Sequence, residues 1–314
     1  ACGLPYYVEG EFPDVAMLSE TPVGVARTPI FFEKVKGFKT FTKTKALQID
    51  RKEKRVLVKN LNTGAEEYLP YDKLVIATGS RPVRPPIPGL ELKNVWTVRH
   101  PDDAESMVES IEAGGLKEAV LVGAGYIGVE VAEALVKRGL KVTMVEIFDQ
   151  IMPQFLDREM ALLAAKHLKN KGVNLVLGEK VLALEGNGAV AAVRTEKREI
   201  PAQLVIIGVG VRPNDELARE SGLECAPKGG IVIDPNGRTN DPDIYAGGDC
   251  VVNRYIDPTY TTPLFVPLGS TANKHGRAIA NDIAGVPTPF AGIGSTGICR
   301  AFNYTLGRTG FTER

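Results

Sequence analysis

Apolar and polar positions change period several times along the chain, and each change marks an element. Leu47–Ile49 and Arg55–Val58 flank a polar turn at Asp50–Lys54, and a third run follows Asn62-Thr63-Gly64. This predicts a small antiparallel meander, rich in Lys, with one face in solvent. An apolar run from Lys73 to Ala77 predicts a buried strand ending in a tight turn at Thr78-Gly79-Ser80. Arg81–Gly89 holds four prolines, which excludes regular structure and predicts a crossing between domains. Beyond it the period alternates between strand and helix. Pro101–Glu112 reads as a helix with Asp102 and Asp103 in its first turn. Glu118–Val122 reads as a strand, and Ile127, Val131 and Leu135 recur at four-residue spacing up to Gly139. Lys141–Glu146 is the next strand, Asp157–Lys171 a helix closed by Gly172, and Val173–Val176 a strand. A hairpin through Gly186-Asn187-Gly188 follows. Leu204–Val209 and Ile244–Asp249 read as buried strands, and Ala272–Ile283 as a helix. Gly292–Arg314 holds strand-like pieces, as at the opening of a further domain.

One turn in this pattern carries chemistry. Gly123-x-Gly125-x-x-Gly128 lies between a strand and an amphipathic helix, and Glu146 ends the following strand 18 residues after Gly128. Strand, glycine turn, helix and terminal acid together form the dinucleotide-binding fingerprint. Its glycines permit a tight turn and a close approach of backbone to pyrophosphate, which faces the helix N-terminus. Glu146 is placed to accept hydrogen bonds from an adenosine ribose and to repel a 2′-phosphate, which favours NADH over NADPH. Two further apolar runs, ending at Thr78-Gly79 and at Gly248-Asp249, offer the carboxyl-terminal strand ends at which open parallel sheets hold ligands.

Composition narrows the class. The 314 residues suffice for two cored domains, with 44% hydrophobic and 24% charged residues. A net charge of zero gives no reason to expect nucleic acid or an anionic membrane as partner. The longest strongly apolar run, Leu204–Val211, is far short of the roughly 18 residues that cross a bilayer. No signal peptide is visible, and a reduced cytoplasmic setting is expected. The four cysteines, Cys2, Cys225, Cys250 and Cys299, form no CxxC pair, and with three histidines they form no metal-ligand cluster.

The motifs together resemble the pyridine nucleotide–disulfide oxidoreductases, flavoproteins with two dinucleotide-binding domains. The resemblance rests on Ala77-Thr78-Gly79-Ser80, the Gly123–Gly128 turn, Val209-Gly210-Val211-Arg212-Pro213-Asn214, Gly247-Gly248-Asp249, and Pro267-Leu268-Gly269 with Ala272–Arg277. It implies an α/β fold of two Rossmann-like domains, the NAD domain inserted into the FAD domain, with the small antiparallel meander. The implied boundaries are 1–98 and 236–290 for FAD, 99–235 for NAD, and 291–314 for the start of a C-terminal interface domain. Thr78, Gly79, Gly248, Asp249, Leu268, Gly269 and Ala272 are then FAD contacts. Gly123, Gly125, Tyr126, Ile127, Gly128, Glu130, Glu146 and Gly210 are NAD contacts. Tyr126 would gate the nicotinamide or lie on the surface at a helix start. Glu130 would stand near the nicotinamide or on a solvated helix face.

Cys2-Gly3-Leu4-Pro5-Tyr6-Tyr7-x-x-Gly10 resembles the redox segment of the single-cysteine branch: coenzyme A disulfide reductases, persulfide reductases and related NADH oxidases. The resemblance implies that electrons pass from NADH through FAD to Cys2, whose thiolate attacks a disulfide or persulfide. Coenzyme A disulfide, or a coenzyme A persulfide or polysulfide, is the preferred substrate class. Oxygen or peroxide turnover by an NADH oxidase is one alternative, and a non-catalytic NAD-binding fragment is another. A helix N-terminus or the flavin is expected to depress the Cys2 pKa. Cys225, Cys250 and Cys299 read as inert thiols. Lys34–Lys45 is either a coenzyme A anchor or a solvated face of the meander. A homodimer is implied. The family's own upstream GxGxxG for FAD is absent from this sequence, so the chain is expected to be part of a longer one.

Overall fold

In the computed structural model, residues 3–311 are described, and the chain divides into two compact units. One comprises 1–27, 82–211 and 296–314, and the other 28–81 and 212–295.

The first unit is built on a five-stranded parallel sheet in the order Val95–Trp96, Leu204–Ile207, Glu118–Val122, Lys141–Glu146, Asn174–Leu177. Alternate residues of each strand enter different cores. Leu121, Met144 and Ile206 pack with helices Pro101–Glu112, Tyr126–Lys137 and Arg158–Asn170. Val120, Val122, Val145 and Val205 pack on the other side with Val181, Leu184, Val190 and Val193. Those four belong to an antiparallel sheet of strands Val181–Asn187, Ala189–Thr195 and Glu199–Pro201. Burial on both faces is what a parallel sheet requires, and it explains why its strands are nearly continuous runs of Val, Ile and Leu.

The second unit holds the meander Thr44–Asp50, Arg55–Asn60 and Glu66–Pro70. It also holds a parallel pair, Ile244–Ala246 with Leu74–Ile76. Ile49, Ile76, Ile231, Ile244 and Val251 form its core. Helix Gly269–Ile283 is fastened to this unit by Asp282. The Asp282 carboxylate accepts from the Tyr245 hydroxyl at 2.7 Å and from Arg238 Nε and Nη2 at 2.7 and 3.1 Å.

Several boundaries differ from the expected ones. The strand expected over 204–209 stops at Ile207, and the one expected over 244–249 stops at Ala246. Beyond each, a glycine of positive φ, Gly210 or Gly248, turns the chain away. The helix expected from Ala272 begins at Gly269, and a short strand, Ser80–Pro82, runs from the expected turn into the stretch Arg81–Gly89 read as irregular. Helices Leu4–Glu9, Pro29–Lys36 and Glu216–Glu220 are additional. Helix Pro29–Lys36 buries none of its residues although Ile30, Phe31, Phe32 and Val35 are apolar; Pro29 and the Thr28 side-chain cap start it and Gly37 ends it. Lys34, Lys36, Lys39 and Lys43 are therefore on an exposed helix and loop and not on the meander, which starts at Thr44.

The terminal hairpin of the first unit, Gly297–Ala301 with Tyr304–Arg308, is anchored by a buried carboxylate. Glu133 accepts the Phe302 amide at 2.7 Å, pairs with Lys137 at 2.8 Å and lies 3.7 Å from Arg300. Lys137 also pairs with Glu9, on helix Leu4–Glu9. Removing this carboxylate leaves the part-buried Phe302 amide without its acceptor and leaves Lys137 and Arg300 to Glu9 alone. Glu133→Ala is expected to cost about 2–4 kcal/mol, read as a lower urea midpoint, whereas a loss below about 0.5 kcal/mol would make the anchor ornamental.

Candidate functional site

The glycine turn at 123–128 is shaped by three different needs. Gly123 has a φ of 104°, and a β-carbon on it would lie 2.5 Å from the Gly208 carbonyl oxygen. A β-carbon on Gly128 would collide with the Gly123 carbonyl. Both glycines are thus demanded by the fold, which presses the helix start onto the strand end. Gly125 is different. Its φ is −81°, and a β-carbon there would meet nothing within 4 Å. The chain itself gives no reason for glycine at 125, whereas a ligand passing over the backbone does.

Gly125 is also the N-cap of helix Tyr126–Lys137 and supplies no side-chain cap. The first-turn N–H groups therefore remain available, and with the helix dipole they favour an anion. Glu146 is buried, and its carboxylate accepts the Ala124 amide at 2.7 Å and the Phe148 amide at 3.1 Å. It fastens the turn to the neighbouring strand as well as standing where the fingerprint places a ribose acceptor. The residues present fit a dinucleotide.

Ile127 is half-buried against the sheet-side core, and Gly210, with a φ of 115°, is exposed and accepts the Val83 amide at 2.9 Å. Tyr126 is not free on the surface. Its ring packs on Phe155 with centroids 4.7 Å apart, and the Gly297 backbone lies against its hydroxyl. Burial, countered by Arg308, pushes its pKa up to about 12. Glu130, one turn on, is half-buried and does not lie on a solvated face. Burial first, and then the Glu133 charge, push its carboxyl up to about 7 against the pull of Arg300.

In the second unit, Thr78 and Gly79 are locked to Asn214. The Thr78 hydroxyl donates to the Asn214 carbonyl at 2.5 Å, Asn214 Nδ2 donates to the Thr78 carbonyl at 2.9 Å, and the Asn214 amide donates to the Gly79 carbonyl at 2.9 Å. Asp249 accepts from the Ser80 hydroxyl at 3.2 Å. The Gly248 amide donates to His275 Nδ1 at 3.2 Å. Leu268 caps helix Gly269–Ile283 without a side-chain bond, so the amides of Gly269, Ser270 and Thr271, ahead of the first helical bond from Ala272 to Leu268, have no side-chain cap; a β-carbon on Gly269 would meet nothing within 4 Å. Ala272 begins the second turn of that helix and lies 3.7 Å from where a Gly248 β-carbon would be. These uncapped amides and the tethered Asp249 fit a second phosphate-bearing cofactor.

Structure brings the predicted residues into two groups, one in each unit. Cys2 lies outside the described residues. Sequence reasoning missed the roles of Glu133, Ser80 and Asn214 here. The signal for Glu133 was its spacing of three from Glu130, which puts both carboxylates on neighbouring positions of one helix face. Among the described residues no helix is long and apolar enough to cross a membrane, and no cluster of His, Cys, Asp and Glu could hold a metal ion.

The sequence profile of the family described as pyridine nucleotide-disulphide oxidoreductase matches residues 8–268. The chain belongs to that family. It is 37% identical over 268 residues to an NADH oxidase of Enterococcus faecalis, covering 85% of this chain and 59% of that protein. It is 33% identical over 313 residues to the NAD(P)H coenzyme A polysulfide/persulfide reductase of Pyrococcus horikoshii, covering 99% of this chain and 67% of the relative. The solved structure of an NAD-dependent persulfide reductase from A. fulgidus superposes with a TM-score of 0.96 at 40% identity, over 99% of this chain and 57% of that one. This family member thus spans roughly three fifths of the length of the relatives it matches.

Two outcomes test the geometry. Gly128→Ala is expected to lower the melting temperature strongly, by the several degrees that about 1–3 kcal/mol of backbone collision produces; Gly125→Ala is expected to leave it unchanged. Glu130 has a folded pKa of about 7 against 4.5 unfolded, so its contribution to stability is full below 4.5 and is lost as pH rises through 7. Glu130→Gln is therefore expected to raise the melting temperature at pH 8 relative to wild type and to change it little at pH 4.5. Equal effects at both pH values would exclude the raised carboxyl.

Proposed function

We propose that this chain is the NAD(P)H-handling part of a flavin-dependent oxidoreductase that reduces a disulfide or persulfide, such as coenzyme A disulfide, through the single thiol of Cys2. The observation that carries the choice of Cys2 is the state of the other three thiols. Cys250 and Cys299 are buried, and burial pushes both pKa values up, that of Cys299 to about 12. Cys225 is half-buried and pushed up by burial and by Asp215. None of the three is poised as a thiolate, which is the reactive form. Cys2 precedes helix Leu4–Glu9 by two residues, in a sequence segment like that of single-cysteine reductases.

The roles of the other residues follow from their settings. The Gly123–Gly128 turn and the open amides of helix Tyr126–Lys137 hold the NAD pyrophosphate, and Glu146 faces the adenosine ribose. Thr78, Gly79, Gly248, Asp249 and the helix start at Leu268, Gly269 and Ala272 hold FAD. Bound FAD supplies the two-electron relay between nicotinamide and sulfur. The Cys2 thiolate attacks one sulfur of the substrate disulfide, a new S–S bond forms to Cys2, and the other sulfur leaves as a thiolate that takes a proton. Two electrons then return Cys2 to the thiolate and release the second thiol. The domain limits follow the family arrangement, and the working protein is a full-length homodimer; support for both is the family resemblance.

A second reading has its own support in the Enterococcus faecalis NADH oxidase. There Cys2 would turn over oxygen or peroxide through a sulfenic acid. Lys34–Lys45 remains a candidate coenzyme A contact, supported by its exposed cations.

Two experiments decide. In an anaerobic NADH titration of the full-length protein followed in the visible spectrum, Cys2→Ser is expected to remove the reducing equivalents stored on sulfur and to abolish coenzyme A disulfide turnover. Rapid NADH oxidation in air with no disulfide turnover would instead select the oxidase. For the nucleotide, Gly125→Ala is expected to weaken NADH binding about tenfold or more, since one displaced contact worth about 1.4 kcal/mol gives that factor. Unchanged affinity would remove the pyrophosphate from that turn.

A further inference from the structure

We infer that His275 is a positioning residue for the Gly247–Asp249 turn, holding Gly248 in place only while its imidazole is neutral. The inference rests on reading that turn as part of the FAD site. Gly248 has a φ of 84°, a left-handed conformation in which its amide leaves the strand ladder. That amide donates to His275 Nδ1 at 3.2 Å. An N–H donor at Nδ1 requires a lone pair there, so the proton sits on Nε2 and the ring is uncharged. On the other side of the turn, Gly247 donates to the Ile76 carbonyl at 3.0 Å, and the Asp249 carboxylate accepts from Ser80. Among the described residues, His275 is therefore the side chain that hydrogen-bonds Gly248, between two residues fixed by other means.

The helix carrying His275 is closely packed at this point. His275 is 3% exposed, and its β-carbon lies 3.0 Å from where a Gly247 β-carbon would stand. Its ring meets Phe290 edge-on at 5.3 Å. Asp282, tied to Tyr245 and Arg238, pins the same helix two turns on. The imidazole cannot swing away to water, so it can keep its hydrogen bond or lose it by taking a proton.

The charged groups around the ring do not favour that proton. Asp234 and Arg254 line the small cavity of about 20 Å³ beside His275, one of each sign. Lys274 lies over the Phe290 ring, Asp249 is held by Ser80, and Asp282 is neutralised by Arg238. Burial alone shifts His275, downward from 6.5. The sign follows: the neutral, bonded state is complete above 6.5 and is lost as pH falls through the lowered folded value. Protonation would put N–H against N–H at Gly248, push the turn open and move Asp249.

The test is FAD release from the full-length flavoprotein, read as recovered free-flavin fluorescence between pH 8 and pH 5. Wild type is expected to lose FAD affinity only as pH falls through the lowered His275 value, which lies below 6.5. His275→Asn, whose Oδ1 takes the place of Nδ1 and does not titrate, is expected to hold FAD with a flat pH profile. His275→Leu, with no acceptor, is expected to bind FAD about tenfold more weakly at every pH, the factor for one lost hydrogen bond. An unchanged acid profile in His275→Asn, or wild-type affinity in His275→Leu, overturns the inference. A wild-type protein that binds no FAD at any pH overturns the flavin reading of this turn instead. The inference then stands or falls on the wild-type Gly248 amide proton resonance, which must titrate together with the His275 ring.

Discussion

The first unit depends on the contact of two glycines, Gly123 and Gly128, at the junction of strand and helix. Only without β-carbons at both can helix Tyr126–Lys137 start directly on top of strand Glu118–Val122. That contact sets the depth at which the helix lies on the sheet. It places Val131 and Leu135 in the core, leaves the helix N-terminus uncapped, and brings Ala124 within reach of Glu146. Lift the helix by the width of a methyl group and the buried apolar face, the placement of the open first-turn amides and the Glu146 clamp all change together. Gly125 stands apart from this, since nothing in the chain presses on it, and that contrast is what separates the demands of folding from those of a ligand.

The alternation of strand and helix between Pro101 and Ile207 was plain in the sequence because the parallel sheet is buried on both faces and leaves long apolar runs. The fingerprint was legible for a related reason: its glycines and acid answer to geometry that few other folds impose. What escaped notice was held by polar groups. Asn214 locks the Thr78–Gly79 turn through three hydrogen bonds to residues more than 130 positions away. No local spacing encodes such a partner. Helix Pro29–Lys36 escaped because its eight residues span too few turns for Ile30, Phe31, Phe32 and Val35 to establish a period, and none of them joins the core. Strand ends were overextended for the opposite reason: Gly208 and Gly247 sit in apolar company and their amides still bond Val122 and Ile76, but the chain then turns away through Gly210 and Gly248, both of positive φ.

The terminal hairpin shows how burial and charge combine. Its Gly297 backbone covers Tyr126, its Phe302 amide needs Glu133, and its Arg300 lies over the Tyr6 ring at 5.3 Å. Glu133 thus connects three segments distant in sequence: helix Leu4–Glu9 through Lys137, helix Tyr126–Lys137 itself, and the hairpin. A carboxylate can do this because it accepts several hydrogen bonds at once, while an apolar residue of the same size would satisfy neither the amide nor the cations.

Three buried or half-buried carboxylates stand on or beside the same helix, and they meet the cost of burial in different ways. Glu146 accepts two backbone amides. Glu133 accepts one amide and faces two cations. Glu130 is offered no hydrogen bond by the described residues, feels the Glu133 charge at close range, and keeps its proton up to about pH 7. A carboxyl that stays neutral near pH 7 presents an O–H donor as well as an acceptor, unlike the other two. Of the three, Glu130 alone has hydrogen-bonding capacity not spent on the fold, and it lies one helical turn from Tyr126, on the helix whose open end fits a pyrophosphate. The distinction between a structural acid and one available to a ligand is thus drawn by partners and not by burial, since burial is common to all three.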